Sequence, residues 1–546
     1  MEKRALLAFV LSVAILTIWS YWFVPQNQQP VPKEEPPSAH QPQAAPKPPA
    51  PEPPPQALPQ TSAGVPSVSP GGEDELVLEV ETPLYTARLS SLGALLESWQ
   101  LKRYRESLAA DAPATELARP SSAGKPLELV LEDSSFAGIN RAAFRFDKSR
   151  IEIKDGSGQA TLQAALSLPD GSRILKEFTF YGDRYAVDLK ISACDAQGRG
   201  LAERLGLALV YPASQVSSSS ASFVGPVAFT AHGLEELGDL AKHAGKPMEV
   251  RWGGFAQHYF VSAVAPQSPG RHDLILEQRN GNVRMTIWQG ASSPGACEHP
   301  FRIYLGPKSI EDLKLAGEDL DRALHLGFFD VIARPLLLAM KFINDYTHNY
   351  GIAIIVLTIV IKLLFWPLTH KSYASMKEMQ RIQPRIKQLR ERFKNDREQL
   401  NREMMLLYKT HKVNPLGGCL PMVLQIPVFF ALYKALLDSI ELRHAPFIFW
   451  VKDLSAPDYL VRFPAGVSLF GIEGIGPLPI LMGASMVIQQ KMTPTTGDPT
   501  QAKVMMLMPI FFTFLFISFP SGLVLYWLIN NVLSIVQQIY INSRVE

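Results

Sequence analysis

The residue that first suggests chemistry is a lysine inside an otherwise apolar stretch. Residues 349–368 read NYGIAIIVLTIVIKLLFWPL, with Lys362 as the one charge. About 20 such residues can cross the hydrocarbon core of a membrane, and a charge at that depth is costly enough to indicate a functional site. Two interpretations are open at this point. Lys362 either extends its flexible side chain to the nearer membrane surface or faces a polar cavity within the membrane.

The other titratable residues form no pattern that predicts catalysis or metal binding. The histidines between residues 232 and 299 lack metal-ligand spacing, and the sequence has no nucleophile elbow or phosphate loop. Three cysteines are too few for a disulfide framework, although Cys194 and Cys297 could pair if folding brings them together. The net charge of +2 gives no general argument for nucleic-acid binding. We therefore expect no catalytic residue, no metal and no cofactor.

The first 72 residues do not have the composition of a packed domain. In residues 1–24, Lys3 and Arg4 precede an apolar run that ends in aromatic residues, which predicts an uncleaved transmembrane anchor with a cytoplasmic N-terminus. Residues 25–72 are about one-third proline. They bury too little apolar surface to fold, so we expect a disordered, extended linker.

Residues 73–327 have the pattern of an all-β domain. Short runs of alternating polarity are separated by dipeptides typical of hairpin turns, namely Asp155-Gly156, Asp170-Gly171 and Asn280-Gly281. The length fits a large two-sheet β-sandwich. Residues 328–348 follow with apolar side chains at helical spacing. They predict an amphipathic helix, either on the membrane surface or packed against the β domain.

Residues 371–413 are polar and basic, which predicts a cytoplasmic location next to a membrane span. Their apolar residues recur at spacings of three and four, the pattern of two packed helices, with a turn at Lys394-Asn395-Asp396. The seam of this predicted helical hairpin consists of Met379, Ile382, Ile386, Leu389 and Phe393, and it continues past the turn with Leu400, Met404 and Leu407. Its basic faces could meet anionic lipid or ribosomal RNA, although the positive-inside rule alone explains the charge.

Four more apolar segments complete a group of five spans within residues 349–541. They are 416–437, 477–490, 504–519 and 521–541, and the second and third are shorter than a bilayer core requires. Glutamine, asparagine and threonine side chains within the spans need polar partners or water. They could line a wet cavity or form ordinary hydrogen bonds between helices. Residues 542–546 form a short tail.

The five-span group resembles the YidC family of membrane protein insertases. The resemblance rests on NPLGGCLPMVLQIPVFFALY (414–433), APFIFWVKDLSAPD (445–458), QKMTPTT (490–496) and FPSGLVLYW (519–527). The anchor, the linker and the β domain resemble the Gram-negative form. The resemblance implies a polytopic α-helical protein of the bacterial inner membrane with six spans, both termini in the cytoplasm and an all-β periplasmic super-sandwich domain.

The resemblance also implies a role for each matching position. A hydrophilic groove, open to the cytoplasm and the lipid but closed outward, would carry its positive charge on Lys362, where many relatives have arginine. Its polar lining would consist of Thr358, Gln425, Tyr526, Trp527 and Asn530. An incoming apolar segment would slide along Pro421, Ile426, Phe429, Met505 and Met508.

The implied function is insertion and folding of inner-membrane proteins, alone or with the Sec translocon, without an enzymatic step. The implied partners are nascent membrane proteins, the ribosome, Sec components and membrane lipids, with no small-molecule substrate. Two other classes are less consistent with the sequence. A solute transporter would show inverted repeats among its spans, and a tethered sugar-binding enzyme would show paired carboxylates or histidines in the β domain. The sequence has neither feature.

Overall fold

The computed structural model describes residues 75–544 except 119–123, 133–137, 219–222, 292, 294, 395, 412–419, 465–471 and 493–498. The predicted anchor (1–24), the predicted linker (25–72) and Cys419 lie outside the described residues. Side chains are also outside the description at 218, 397, 420–424, 499–505, 542 and 544. For Pro421 and Met505, the structure therefore gives a helical backbone and nothing further.

Strands dominate the chain up to residue 307. In order they are β1 (Val77–Glu81), β2 (Tyr85–Ser90), β3 (Leu95–Arg105), β4 (Ala114–Glu116), β5 (Glu128–Leu131), β6 (Arg145–Phe146), β7 (Arg150–Glu152), β8 (Gln159–Ser167), β9 (Arg173–Tyr181), β10 (Ala186–Cys194), β11 (Arg204–Pro212), β12 (Ser217–Ser218), β13 (Phe223–Thr230), β14 (Gly233–Glu236), β15 (Met248–Glu249), β16 (Trp252–Ala256), β17 (Phe260–Pro266), β18 (His272–Arg279), β19 (Asn282–Gly290) and β20 (Glu298–Pro307). The short helix α1 (Leu240–His243) lies between β14 and β15.

These strands form three sheets within the described residues, so the prediction of a two-sheet sandwich was wrong. The largest sheet has the order β12-β13-β16-β17-β20-β10-β9-β8-β6, with β14 beside β13. The other two have the orders β4-β3-β2-β1-β7 and β15-β18-β19-β11-β5. Alternating polarity specifies that each strand buries one face, but it does not specify which strands share a sheet.

Two of the three predicted hairpin turns form. Asn280 and Gly281, with φ values of 50° and 73°, connect β18 to β19, and Asp170-Gly171 lies in the turn from β8 to β9. A two-residue turn with positive φ at both positions favours Asn-Gly. The third prediction was wrong, because β7 before Asp155-Gly156 pairs in parallel with β1 in a different sheet.

The β domain combines an apolar core with a disulfide bond. Trp99 and Tyr85 are fully buried and stack with ring centroids 3.8 Å apart. Cys194, at the end of β10, is bonded to Cys297, just before β20, with a Cα–Cα distance of 5.3 Å. β10 and β20 are neighbours in the largest sheet. Strand pairing therefore brings together two cysteines whose pairing the sequence left open.

The rest of the described chain is mainly helical. Its helices are α2 (Ile310–Ala316), α3 (Asp330–Thr347), α4 (Tyr350–Leu364), α5 (Trp366–Arg392), α6 (Arg397–Thr410), α7 (Leu420–Asp438), α8 (Pro477–Met492), α9 (Pro499–Phe516) and α10 (Ser521–Arg544). A two-stranded ribbon of β21 (Val461–Arg462) and β22 (Gly474–Ile475) lies between α7 and α8. The helices α7 to α10 correspond to the four apolar segments predicted after the basic hairpin, with shifted ends.

The apolar stretch that carries Lys362 is bent. α4 ends at Leu364, and α5 begins at Trp366 at an angle of 65° to it. Pro367 lies in the first turn of α5, where the missing N–H of proline has no cost. The 15 residues of α4 measure about 22 Å, less than a ~30 Å hydrocarbon core. The straight part of the predicted span over 349–368 is therefore short, and Lys362 lies in the last turn of α4. That this stretch crosses the membrane stays a prediction.

Helix length alone supports few membrane spans. Within the described residues, the segment Ser521–Ile541 of α10 is long and apolar enough to cross a membrane, and α4 with α5 passes the same test only as a bent pair. A shorter apolar segment, Met506–Phe516, lies in α9. The count of six spans therefore remains a prediction.

The helix α3 has two apolar faces. One face buries Ala333, Leu337 and Met340 against α4 and α7. The other face exposes Val331 and Phe342, which are 86% and 62% accessible. The predicted apolar face thus packs against the other helices rather than against the β domain. The predicted location of this helix on the membrane surface stays a prediction.

The loop that follows α7 joins the β domain to the helices. On the β-domain side, the Arg443 guanidinium donates to the Arg105 carbonyl at 2.7 Å and lies 5.4 Å from the Phe260 ring centroid. His258 Nε2 lies 2.8 Å from the carbonyl oxygen of Leu437, near the end of α7. The β domain is therefore held against the last turn of α7 and the loop after it.

The same loop covers the first turns of α4 and α10. Asn349 Nδ2 donates to the Phe447 carbonyl at 3.0 Å, and the Gly522 amide donates to the Leu454 carbonyl at 2.9 Å. The loop approaches α4 closely, because a Cβ atom on Gly351 would lie 2.0 Å from the Phe447 ring. Glycine at position 351 thus permits the loop to pack directly on the backbone of α4.

Candidate functional site in the helical region

Neutral polar groups of α10 hold the Lys362 ammonium. Nζ donates to Asn530 Oδ1 at 3.1 Å and to Ser534 Oγ at 2.7 Å. Asn530 and Ser534 are four residues apart, so they lie on the same side of α10. No ion pair to Lys362 is present among the residues that the structure describes. The charge is therefore hydrogen-bonded but not neutralised by a carboxylate.

This contact lies near the middle of α10, although Lys362 is at the end of α4. Along α10, the distance from Ser521 to Ser534 is about 20 Å and from Ser534 to Arg544 about 15 Å. The lysine side chain is thus directed into the helical bundle rather than along α4 to its end. This direction favours the interior interpretation of Lys362 over one in which the ammonium reaches the membrane surface.

Further polar side chains of α10 contact two other helices. Asn531 Nδ2 donates to Ser485 Oγ of α8 at 3.1 Å, and Gln537 Nε2 donates to Thr369 Oγ1 of α5 at 2.7 Å. The side chains at the level of Lys362 are here called the polar layer and comprise Lys362, Ser485, Asn530, Asn531 and Ser534. All except Lys362 are at least nine-tenths buried. α10 is therefore the helix through which the polar contacts of α4, α5 and α8 are made.

A group of aromatic rings separates the polar layer from the loop after α7. The Trp527 ring centroid lies 4.8 Å from that of Phe429 on α7 and 5.3 Å from that of Phe516 on α9. Phe519 lies 5.9 Å from Tyr433 and 5.0 Å from Phe516. These five residues are here called the aromatic layer. Trp527 is about 9 Å along α10 from Ser521, against about 14 Å for Asn530 in the polar layer.

The residues predicted to line the groove lie in different surroundings in the structure. Lys362 and Asn530 are in contact, and Gln425 Nε2 lies 3.4 Å from the Tyr526 hydroxyl. Thr358 is buried, but its hydroxyl donates to the Ile354 carbonyl of its own helix at 2.6 Å. Trp527 belongs to the aromatic layer. Adjacent residues on a helix differ in direction by about 100°, so Tyr526 and Trp527 point to different neighbours, Gln425 and the aromatic layer respectively.

Three residues of this site were missed from the sequence. Ser534 could have been found, because it lies one turn after Asn530 on the same face of the predicted helix. Ser485 and Thr369 gave no such signal. Small hydroxyl residues are common in helices, and only the packing of α8 and α5 against α10 shows which of them receive a partner.

The residues predicted to guide an apolar segment also differ in position. Ile426 and Met508 are 45% and 39% exposed, whereas Phe429 is half-buried in the aromatic layer. Its neighbour Phe430 is 46% exposed and was not predicted. Further exposed apolar side chains on α9 are Met506, Leu507, Ile510, Phe511 and Leu515. α7 and α9 thus each present apolar side chains to the outside of the bundle.

The helices α5 and α6 pack as the predicted seam requires. Met379, Ile382 and Ile386 are buried together against Leu407 and Tyr408. Two further seam residues are half-buried, Leu389 and Phe393. The Asp396 side chain caps α6 by accepting from the Gln399 amide at 3.0 Å, which explains why a helix restarts there.

Titratable side chains also gather where the β domain meets α7. Burial lowers the pKa of Lys308 to about 8, and burial likewise lowers the pKa of His258 below its usual range. Lys434 pairs with Asp438 at 2.8 Å. These titratable side chains form a set of ion pairs and hydrogen bonds at the contact between the β domain and α7. In the part of the chain that the structure describes, no three His, Cys, Asp or Glu residues are grouped so that they could hold a metal ion.

Comparison with known proteins assigns both halves of the chain. A family model described as the YidC periplasmic domain matches residues 77–339, and one described as a 60Kd inner membrane protein matches residues 342–546. Relatives named membrane protein insertase YidC from Syntrophus aciditrophicus and Pelobacter propionicus are 43% and 42% identical, and each match covers 100% of this chain and 100% of the relative.

A crystal structure of an active YidC insertase aligns with 85% of this chain and 92% of its own, at 16% identity and a TM-score of 0.36. The sequence matches span the β domain and the helices alike. The chain belongs to the YidC family of membrane protein insertases, which are inner-membrane proteins with a β-rich periplasmic domain and no enzymatic activity.

Proposed function

We propose that this protein inserts apolar segments of nascent proteins into the inner membrane by way of the polar layer around Lys362. The observation that carries the proposal is the state of the Lys362 ammonium. It is held by Asn530 and Ser534, which are neutral, so its charge is available to an acidic segment of an incoming chain. A positive charge in a partly desolvated site attracts a carboxylate more strongly than it would in water.

The proposed topology has six spans, with both termini in the cytoplasm and the β domain in the periplasm. α4, α7, α8, α9 and α10 are five of these spans, and residues 1–24 are the sixth. The loop after α7 and the aromatic layer both lie on the side of the polar layer that would face the periplasm. Both support a site that is closed outward and open toward the cytoplasm.

The proposed mechanism follows from the cost of moving polar groups through hydrocarbon. A short hydrophilic segment would enter from the cytoplasm, exchange hydrogen bonds with the polar layer and approach Lys362. α4 measures about 22 Å, so the membrane beside it would be locally thinner and the remaining barrier shorter. The adjoining apolar segment would leave along Ile426 and Phe430 of α7 and Met508 of α9, where burial in lipid gives roughly 0.8 kcal/mol per methylene.

The partners follow from the same arrangement. The hairpin of α5 and α6 carries exposed basic residues such as Arg385 and Lys387, which suit contact with a ribosome or with anionic lipid. Cooperation with the Sec translocon is part of the proposal for substrates with large outer domains. Thr358, Gln425 and Tyr526 would line the route, and Pro421, Phe429 and Met505 would support its apolar wall.

The test is insertion into proteoliposomes that contain the purified full-length protein. Small membrane proteins with an acidic or a neutral translocated loop are added as they are synthesised, and protease protection measures insertion. Lys362→Ala should reduce insertion of the acidic-loop substrate about tenfold, equivalent to about 1.4 kcal/mol, and affect the neutral-loop substrate less. Lys362→Arg keeps the charge and should restore most of the activity.

Liposomes without the protein provide the baseline for spontaneous insertion. Equal insertion with and without the protein would refute the proposed function as a whole. An equal loss for both substrates with Lys362→Ala would instead mean that Lys362 only supports the packing of α4 against α10.

A further inference from the structure

A second candidate site lies outside the helical bundle, between the β domain and the start of α3. It is a cavity of about 510 Å³, within the size range of small-molecule sites. The turn between β13 and β14 forms one wall, with His232, and Arg251 forms another. The segment just before α3 contributes Arg322 and His325. Its lining therefore brings cationic and titratable nitrogen groups from several parts of the chain to one place.

Some charged side chains that line this cavity have an ion-pair partner within the described part of the chain, and one does not. Arg251 forms an ion pair with Asp319, and Arg334 Nε donates to Asp330 at 2.8 Å. Arg322 is exposed, and among the described residues it has no ion pair or side-chain hydrogen bond. Both aspartates in the lining are thus already paired, while one guanidinium is available to a ligand. A guanidinium with its donors free matches the geometry of a phosphate oxygen pair.

The cavity adjoins a strongly apolar corner of the molecule. Phe329 stacks on Phe430 of α7 with ring centroids 6.1 Å apart. Phe430 lies about 12 Å along α7 from Asp438. In the proposed topology, that distance places Phe329 at the level of the acyl chains of the outer leaflet. Phe328 and Val331 beside it are 93% and 86% exposed, an exposure that suits contact with lipid rather than with water.

We propose that this cavity binds the headgroup of an anionic phospholipid from the outer leaflet. The phosphate would accept hydrogen bonds from Arg322, and the acyl chains would lie against Phe328 and Val331. A ligand that combines an anionic phosphate with an apolar tail fits best, because the cavity lined by Arg322 also reaches Gly327 and Asp330, which flank the apolar corner. This inference depends on the proposed placement of α7 in the membrane but not on any step of insertion. A bound lipid would link the β domain to the membrane at the start of α3.

The test measures lipid binding to the full-length protein in detergent by native mass spectrometry. Short-chain phosphatidylglycerol is titrated, with phosphatidylcholine of the same chain length as the neutral comparison. Arg322→Glu should weaken phosphatidylglycerol binding about tenfold, or about 1.4 kcal/mol, and Arg322→Gln should weaken it in the same direction. Phe328→Ser should weaken binding of the lipid without changing the charge. Arg279→Glu, at an exposed arginine of β18 outside the cavity, is the matched control and should leave binding unchanged.

Several outcomes would overturn the proposal. One is phosphatidylglycerol binding that persists in Arg322→Glu, and another is an equal loss in Arg279→Glu, which would indicate a general charge effect. Displacement of the lipid by an equal concentration of inorganic phosphate would assign the cavity to free phosphate. Because binding is measured without an insertion substrate, failure here would leave the proposed insertase mechanism untouched, and failure of insertion would leave lipid binding testable.

Discussion

The β domain and the helical region place their polar and apolar side chains in opposite ways. In the β domain, Leu207 and Ile287 are fully buried, while charged residues pair at the surface, as Arg150 does with Glu81 at 2.9 Å. In the helical region, Gln537 is fully buried and Leu364 is 73% exposed. The interior of the β domain is therefore apolar, whereas the helical region buries polar side chains and exposes apolar ones.

The difference identifies the solvent that each region meets. In water, burial of apolar surface stabilises a fold. In hydrocarbon, apolar side chains gain little by burial, so helices associate through close packing and hydrogen bonds between polar side chains. The polar layer and the contact of Gln537 with Thr369 fit the second case. α3 lies at the boundary between the two regions, and it correspondingly has one apolar face buried in protein and one exposed.

The largest expected effect concerns the covalent link of the β domain. The double substitution Cys194→Ser with Cys297→Ser should destabilise the β domain by about 4 kcal/mol, because the bond closes a loop with a sequence separation of 103. Hydrogen exchange of the full-length protein should show faster exchange in β10 and β20 and unchanged exchange in α8 and α10. A reducing agent should reproduce the effect in the parent and add nothing in the variant. Equal loss of protection in the helices would show that the two regions unfold together.

The next prediction compares two equally exposed apolar residues. Leu76 before β1 is 68% exposed and Ile510 on α9 is 64% exposed. Ile510→Asp should cost about 3 kcal/mol of membrane integration, since a carboxylate would replace an apolar group in hydrocarbon. Leu76→Asp should change stability by no more than about 0.5 kcal/mol. The fraction of protein that resists alkaline extraction from membranes measures both effects, and equal behaviour of the two variants would contradict the difference in solvent.

A smaller effect should appear as a pH dependence confined to the β domain. Lys176 on β9 is buried, donates to the Gly93 carbonyl at 2.7 Å, and has a pKa lowered by burial to about 7. The unfolded chain binds more protons on this lysine between the folded pKa and the ordinary value of about 10.5, so stability should rise with pH in that window. From about pH 7 to about pH 9, the gain should be about 2 kcal/mol.

The comparison variant for this pH dependence is Lys176→Met, which cannot titrate. Its β-domain stability, measured by hydrogen exchange at a series of pH values, should lack the rise that the parent shows. A parent without the rise would mean that Lys176 is more hydrated than its burial implies. Exchange in α8 and α10 serves as the internal reference.

The smallest effect concerns the contacts between helices. A double-mutant cycle with Thr369→Val and Gln537→Leu should give a coupling free energy of about 0.6 kcal/mol, a typical value for one hydrogen bond between membrane helices. Steric trapping or thermal unfolding in micelles can measure it. A coupling above about 2 kcal/mol would show that such contacts dominate the stability of the bundle, and the contrast with the β domain would become sharper.

Local patterns predicted a large part of this molecule. Asn280-Gly281 indicated a hairpin because few other dipeptides adopt two positive φ values, and Met379, Ile382 and Ile386 indicated a helical seam because their spacing matches a helix turn. Lys362 stood out because a charge in an apolar stretch is rare. In each case the free energy that selects the structure comes from neighbours within a few residues, so the sequence alone was sufficient.

Only the tertiary structure decided which distant groups meet. The bend at Phe365, the pairing of Cys194 with Cys297 and the division of the strands into three sheets all depend on packing between remote segments. The same holds for Lys362. The sequence determined that a charge lies in this apolar stretch, but the packing of α4 against α10 decided that the ammonium meets Asn530 and Ser534. The spacing of residues along the chain determines which side chains share one face of a helix or strand. The tertiary fold determines which residues lie opposite that face.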